Sequence, residues 1–443
     1  MRPPSGSPTG AAAHGLHDRW LPVGVLALAV LLILGRAPQL ILAPRLWAEE
    51  GTIYFAYASG HPWFQALVHP HLGYFALWPN LATVLAAQVP LLWAPAVTTG
   101  CALLVQLLPP TLIATSTAPL FRGGVRRLLG VLIVVLAPMS GEGWLNSINS
   151  QFFFALAACL VLLEPLPTAS PLRRLSMRWL LGLAGLTGPV TGFLLPIFLL
   201  RAVRERGREA RIHAAILGAC ALVQGGCIVT AGLTGSAGVL ERLGTLGLPT
   251  VGAILGIKAV LVPLGGFPLG AFAAERYVLA HTTPLGMWMG LGWLGGVVGL
   301  GWLAWRRLPV AEALALVGGF VCVTLLSIAT TLGEKLALVL PLAGQRYFLV
   351  PSALVGLLLL ALATTGPQRR PAARTVVAAA LLGGYLLNAV LAFPATVPVG
   401  SALPQWRAEV AHWERDPQHA LQIWPPGWEF VLPARGSAPV PRR

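Results

Sequence analysis

Apolar runs of about twenty residues recur from Leu21 to Phe393, and that is the length a helix needs to cross the hydrocarbon of a bilayer. A soluble core has no use for so many. Only 10% of the 443 residues are charged and 56% are hydrophobic, so the expected fold class is all-α integral membrane. The formal net charge of +15 invites a nucleic-acid reading. However, the arginines fall mostly in short loops between apolar runs, as the positive-inside rule requires, so no nucleic-acid partner is expected. Cys101, Cys159, Cys220, Cys227 and Cys322 lie in or beside apolar runs without CxxC spacing, which points to membrane-embedded thiols and to neither a zinc site nor a disulfide frame.

Five basic clusters mark the cytoplasmic side: Arg122/Arg126/Arg127, Arg173/Arg174/Arg178, Arg201 to Arg211, Arg306/Arg307 and Arg369/Arg370/Arg374. Residues 1–20 then form a cytoplasmic tail leading into a retained anchor, since no small-residue cleavage site precedes Arg36. Residues 21–394 form the membrane domain, with a first external loop at about 44–95 and a second at about 140–150; residues 395–443 form an extracytoplasmic tail. The first loop is dense in aromatics, among them Trp47, Tyr54, Tyr57, Trp63, Phe64, Tyr74 and Trp78, and is expected to lie on the bilayer surface as amphipathic helices.

Helices are expected near 96–118, 126–139, 150–165, 212–231, 285–304, 310–332, 350–366 and 375–393. With the first run they give about nine full crossings. Met177 to Leu200 has arginines on both sides and Leu186-Thr187-Gly188-Pro189 in its middle, so it reads as a re-entrant hairpin that enters and leaves from the cytoplasm. Residues 232–284 carry Lys258 and interspersed prolines and glycines within apolar sequence and are read as external or partly inserted. In the polar tail, Ser401 is expected to cap a helix through Arg415, and Trp406, Trp413, Trp424 and Trp428 form either a cap on the outer face or a sugar-stacking surface.

Acid is scarce, so its placement carries information. Glu49 and Glu50 open the first external loop, and Glu142 stands between glycines as the one acid of the second. The simpler reading of the pair is two solvated glutamates at a helix end. Asn146, Asn149 and Gln151 offer amides suited to sugar hydroxyls, or caps for the next helix. His69 and His71, with His61 nearby, specify no third metal ligand and are read as substrate or surface contacts.

Three segments resemble the polytopic GT-C superfamily of glycosyltransferases, of the kind that includes protein mannosyltransferases and aminoarabinose transferases. They are Glu49-Glu50-Gly51-Thr52-Ile53-Tyr54-Phe55-Ala56-Tyr57-Ala58 with the following Gly73-Tyr74-Phe75-Ala76-Leu77-Trp78-Pro79, the hairpin tip Leu186-Thr187-Gly188-Pro189 with Leu195-Pro196, and Gln345-Arg346-Tyr347-Phe348-Leu349-Val350-Pro351. Their order and placement agree over most of residues 20–366. The family usually has Asp in the first loop and a Lys in the hairpin; here the acid is Glu and the Lys is absent.

The resemblance implies a GT-C-like bundle in a bacterial inner membrane and a polyprenyl-phosphate-sugar donor. The acceptor is a glycan, a lipid or a protein, and transfer is inverting. Glu50 is the expected base, with Glu49 as its neighbour or a metal ligand and Glu142 as the second acid. Arg346 and Lys335 are the expected phosphate-binding cations. Tyr54, Tyr347, Asn146, Asn149, Gln151, His69 and His71 complete the expected substrate contacts. No cofactor is required outright; a divalent Mg or Mn on Glu49 and Glu142 is compatible. The competing classes are a transporter or lipid-sugar flippase, which the broken hairpin favours, and a non-enzymatic envelope assembly protein.

Overall fold

The computed structural model describes residues 9–234, 247–331, 335–364, 373–394, 397 and 405–432. The described residues are mainly helical, with one antiparallel hairpin in the tail, β1 (Leu421–Ile423) and β2 (Trp428–Phe430), in register Leu421 with Phe430 and Ile423 with Trp428. Seven helical segments are long and apolar enough to cross a membrane, and Trp20–Arg36 and Ser150–Leu163 are shorter apolar helices. The chain is thus an all-α multi-pass membrane protein.

Ser150–Leu163 is the central element. Its apolar residues are buried on every side, from Phe152 to Leu163, which suits a helix that is hydrophobic all round. The opposite case is Pro284–Trp305, equally apolar but buried only at Gly286, Gly290 and Ala304, so most of its surface is left for lipid.

Most helix positions agree with the sequence pattern, and the exceptions have local causes. The helix expected at 96–118 is divided into Ala94–Gln106 and Leu108–Ala114, where Pro109 and Pro110 withdraw two backbone donors. The hairpin has arms Pro171–Leu186 and Leu195–Glu205. Ser170 starts it by accepting from the Arg173 amide at 3.3 Å. Gly188, at φ +91°, turns its tip. The tail helix is Trp406–Arg415, entered from Gln405 without a side-chain cap; Ser401 lies outside the described residues.

Residues 248–280, read from the sequence as external or partly inserted, are helical. By length they count as one 33-residue span, but Gly266 (φ +85°) breaks the run and the two halves fold against each other. Thr250 Oγ1 lies 3.3 Å from the Tyr277 hydroxyl, and Val262 packs against Gly270. Pairs whose residue numbers converge toward the break define an antiparallel hairpin. The segment therefore runs out and back as one helical hairpin.

Contacts at the helix ends sort into two layers. At one end the Arg36 guanidinium donates to Phe393 O (2.6 Å) and Ser140 Oγ (2.7 Å), joining the first helix, the second loop and the last long helix. At the other, Glu164 accepts from Ser116 Oγ (2.5 Å) and pairs with Arg173 at 2.9 Å, while Arg126 reaches Thr364 O. The basic clusters Arg126 and Arg173 thus share a layer that is separate from Glu50 and Glu142.

The helical hairpin joins its neighbour through backbone contact. A Cβ on Gly290 would lie 2.1 Å from Pro249 O, and one on Gly252 would lie 2.0 Å from Gly290 O. Gly290→Ala and Gly252→Ala are each expected to force these helices apart and to lower stability by about 1–3 kcal/mol, read as a lower thermal midpoint in detergent. Gly292→Ala, at a position with open space around it, is the matched control.

Candidate functional site

The first long loop is built to present two adjacent carboxylates differently. After Leu42 the chain runs to Ala48, which takes a left-handed backbone (φ +41°), then Glu49, then a π-helical turn Glu50–Phe55. A non-glycine residue in that region is uphill by about 1–2 kcal/mol. Such strain persists only where neighbours over-determine it.

Glu50 turns inward and is 1% exposed. Its Oε1 accepts from the Ser147 amide (2.8 Å) and hydroxyl (2.5 Å), and its Oε2 accepts from the Trp47 amide (3.0 Å) and Thr98 Oγ1 (3.4 Å). Burial pushes its carboxyl above the usual range, against the pull of the donors from Ser147, Trp47 and Thr98. Glu50 is thus enclosed by four donors, a setting that differs from the open carboxylate expected of a base. Its observed work is to join the first loop to the second.

Glu49 is different. It is half-buried, its Oε2 is shielded and has no hydrogen-bond partner, and it stands within electrostatic reach of Arg346. Adjacent residues on a helix diverge by about 100°, which is why one glutamate is sequestered and the other is not.

The second loop places Glu142 opposite Arg346. Asn146 and Asn149 both donate to Glu142 O (3.0 and 3.2 Å), and Asn146 Oδ1 accepts from the Asn149 side chain at 2.8 Å. These amides are buried and tie the loop's own backbone; Asn149 occupies the helix N-cap without a side-chain cap bond. The fixed loop leaves the Glu142 carboxylate facing the late helix. Its Oε1 is 3.1 Å from Arg346 Nη1, and its Oε2 accepts from the Arg346 amide at 3.3 Å. Both side chains are about a quarter exposed, at 23% and 27%. Tyr347 lies beside the guanidinium, 5.3 Å from its ring centroid, and packs edge-on to Phe152.

The second expected cation is elsewhere. Lys335 is buried and donates to Ala329 O and Thr331 O, so it closes the end of the preceding helix. Lys258 stands nearer the acids. It is fully buried in the π-helical turn Leu255–Leu261, donates to Ala343 O, and lies 4.7 Å from the centroid of the Phe348 ring. Its charge is within reach of Glu142. The sequence held one clue to it, since a lysine inside an apolar run is costly unless partnered.

The remaining expected residues form a second cluster in the same loop. Tyr57 is stacked between His61 (3.8 Å) and His69 (4.1 Å), and His71 lies 4.5 Å from Tyr54. Burial and the neighbouring imidazoles push His71 down to about 3, and His69 is also lowered. Residues 75 and 76 then meet the hairpin tip: the Gly188 amide donates to Phe75 O at 2.9 Å, and Ala76 bridges Thr187. Gln151 packs under Gly188, where a Cβ would come within 2.3 Å of its Oε1. Gln224 donates to Phe75 O and Gly185 O and accepts from the Phe75 amide, fastening loop to hairpin. Sequence reasoning missed Gln224, Ser147 and Thr98 because each is a common residue whose partner is remote in the chain.

The site's tryptophans also have assigned places. Trp47 bridges Trp424 through the backbone, and Arg45 donates to Gln422 O at 2.6 Å, so both are tied to the tail. Trp406 is buried with Leu46, Phe55 and Ile423, while Trp428 is partly exposed.

The chain was compared with protein families, curated proteins and solved structures, and it matches none of them.

The position of Glu50 makes stability depend on pH in a defined sense. Because burial raises its folded value, the stability it contributes is full below the unfolded value of about 4.3 and is lost as pH rises through the folded one. Glu50→Gln sets an amide N–H against donors, at a cost of about 1–3 kcal/mol. The gap in thermal midpoint between wild type and Glu50→Gln is expected to be widest at acid pH and to narrow as pH rises.

Proposed function

We propose that this protein is a membrane glycosyltransferase of the GT-C type, moving a sugar from a polyprenyl-phosphate donor to an acceptor hydroxyl with inversion. The observation that carries this reading is the half-buried Glu49 carboxylate, whose Oε2 has no hydrogen-bond partner, within electrostatic reach of the partly exposed Arg346–Glu142 pair. Base and phosphate-binding cation are the two groups that such a transfer needs close together.

Glu49 takes the proton from the acceptor hydroxyl as its oxygen bonds to the anomeric carbon. The bond from that carbon to the phosphate oxygen breaks, and its electron pair leaves with the lipid phosphate. Arg346 receives the developing charge through a guanidinium fork suited to phosphate oxygens. Glu142 holds the fork in place before the donor arrives, and Lys258 fixes Ala343, three residues ahead of Arg346. The hairpin tip at Gly188 borders the same layer through Phe75.

The residues do not fit a resident divalent metal. Glu142 is engaged by Arg346 through both oxygens, and among the described residues no group of three His, Cys, Asp or Glu side chains is placed to hold one. No step here uses one.

The proposed topology has nine crossings and two hairpins in a bacterial inner membrane. The N-terminus is cytoplasmic, and the acids and tail are extracytoplasmic. The acceptor is a glycan, a lipid or a protein. A flippase is the runner-up, favoured by the two broken hairpins at Gly188 and Gly266.

Release of sugar from a radiolabelled polyprenyl-phosphate donor by purified protein in lipid tests the reading. Glu49→Gln is expected to lower turnover by about a hundredfold or more, the usual scale for loss of a general base. Arg346→Met is expected to raise the donor KM as well as lower kcat. Translocation of the donor lipid without sugar release would replace the enzyme by a flippase.

A further inference from the structure

We infer that the C-terminal segment Trp406–Phe430 is a positioning element for Glu49, acting through the strained backbone of Ala48. This rests on the reading of Glu49 as the base. The segment was expected to be a cap or a sugar-stacking surface, and its contacts give it a narrower task.

Ala48 is the residue that aims Glu49, and its φ of +41° is a conformation an alanine does not keep unaided. Two holds act on it from opposite sides. From the second loop's side, Glu50 takes the Trp47 amide at 3.0 Å while bound to Ser147. From the tail, Trp424 O accepts from the Ala48 amide at 2.5 Å, and the Trp424 amide donates to Leu46 O at 3.0 Å. Leu46 and Ala48 are thus both bonded to one tail residue, and the turn between them cannot relax without breaking one of the bonds.

The tail adds grip on either side of this point. Arg45 donates to Gln422 O at 2.6 Å, and its guanidinium lies 5.8 Å from the centroid of the Trp424 ring. Gly51 fits under the hairpin so closely that a Cβ there would lie 2.7 Å from Ile423 Cδ1 and 3.3 Å from the Phe430 ring. The tail is itself braced. Glu409 Oε2 accepts from the Gln422 amide at 3.0 Å and lies 3.1 Å from His419 Nε2, while Trp406 Nε1 donates to Leu91 O at 3.2 Å. The holding residue therefore belongs to a folded unit anchored at a second place on the bundle.

A positioning role predicts a particular kinetic split. The tail contacts named here fall on residues 45–51 and 91, and Arg346 is held by Glu142. Loosening the tail should then disturb the base and spare the donor phosphate.

The test is Trp424→Ala in the full chain in lipid, assayed with the polyprenyl-phosphate donor; the substitution keeps the backbone groups of residue 424 but removes the buried ring that packs with Trp47 and Ala48 and seats those groups against residues 46–48. We expect kcat to fall about tenfold, as small misplacements of a catalytic group do, with donor KM within about twofold. Glycine adopts a left-handed backbone without help, so Ala48→Gly added to Trp424→Ala should recover kcat. A variant that merely misfolds is not rescued by glycine. Unaltered kcat in Trp424→Ala, or no recovery in the double variant, overturns the inference. Hydrogen exchange over residues 46–52 decides the point without turnover, because Trp424→Ala should speed exchange there. If wild type turns over no donor, the enzyme reading fails, and unchanged exchange in that segment overturns the tail's hold as well.

Discussion

The buried carboxylate of Glu50 is the interaction on which the rest of this end of the molecule depends. It takes four hydrogen bonds from three segments: the chain just before it, the second loop and the helix that follows the first loop. An unpaired acid at that depth would be destabilising by several kcal/mol, so the donors must be in place for the loops to close. Once they are, Ser147 fixes one end of the second loop and Arg36, through Ser140, fixes the other. What lies between them, Glu142, is then left facing Arg346.

Around this knot the helices differ in how much they commit to the interior. Ser150–Leu163 is surrounded, and Pro284–Trp305 leaves most of its surface outside, meeting the bundle at Gly290 and along Met289, Trp293, Leu294 and Val297. Both broken hairpins place their irregular backbone against protein, Gly188 on Gln151 and Gly266 beside Asn388, whose side chain donates to Leu264 O. That satisfies the rule that exposed peptide groups at membrane depth must find partners within the protein.

Much of this was legible in the sequence because membrane helices announce themselves by length and charge. The break at Leu186-Thr187-Gly188-Pro189 was readable from proline chemistry, and the pair Glu49-Glu50 stood out because acid is scarce. Which glutamate faces outward was not readable. That depends on the backbone at Ala48 and on a π-helical turn, neither of which has a residue signature. The doubling back at Gly266 was hidden for a similar reason, since a long apolar run looks the same whether it crosses or returns. Lys258 was visible, but its partner is the carbonyl of Ala343, and a carbonyl carries no sequence signal.

The bond between Arg45 and Gln422 spans 377 positions of the chain. A ribosome at about 5–20 residues per second needs on the order of 20 seconds or more to cover that distance. Throughout that interval the first loop has already been made while the strand that completes its layer has not. The acids of this loop therefore acquire their final setting last, after every helix between them and the tail has been synthesised, and a chain cut short during synthesis is left with an open first loop.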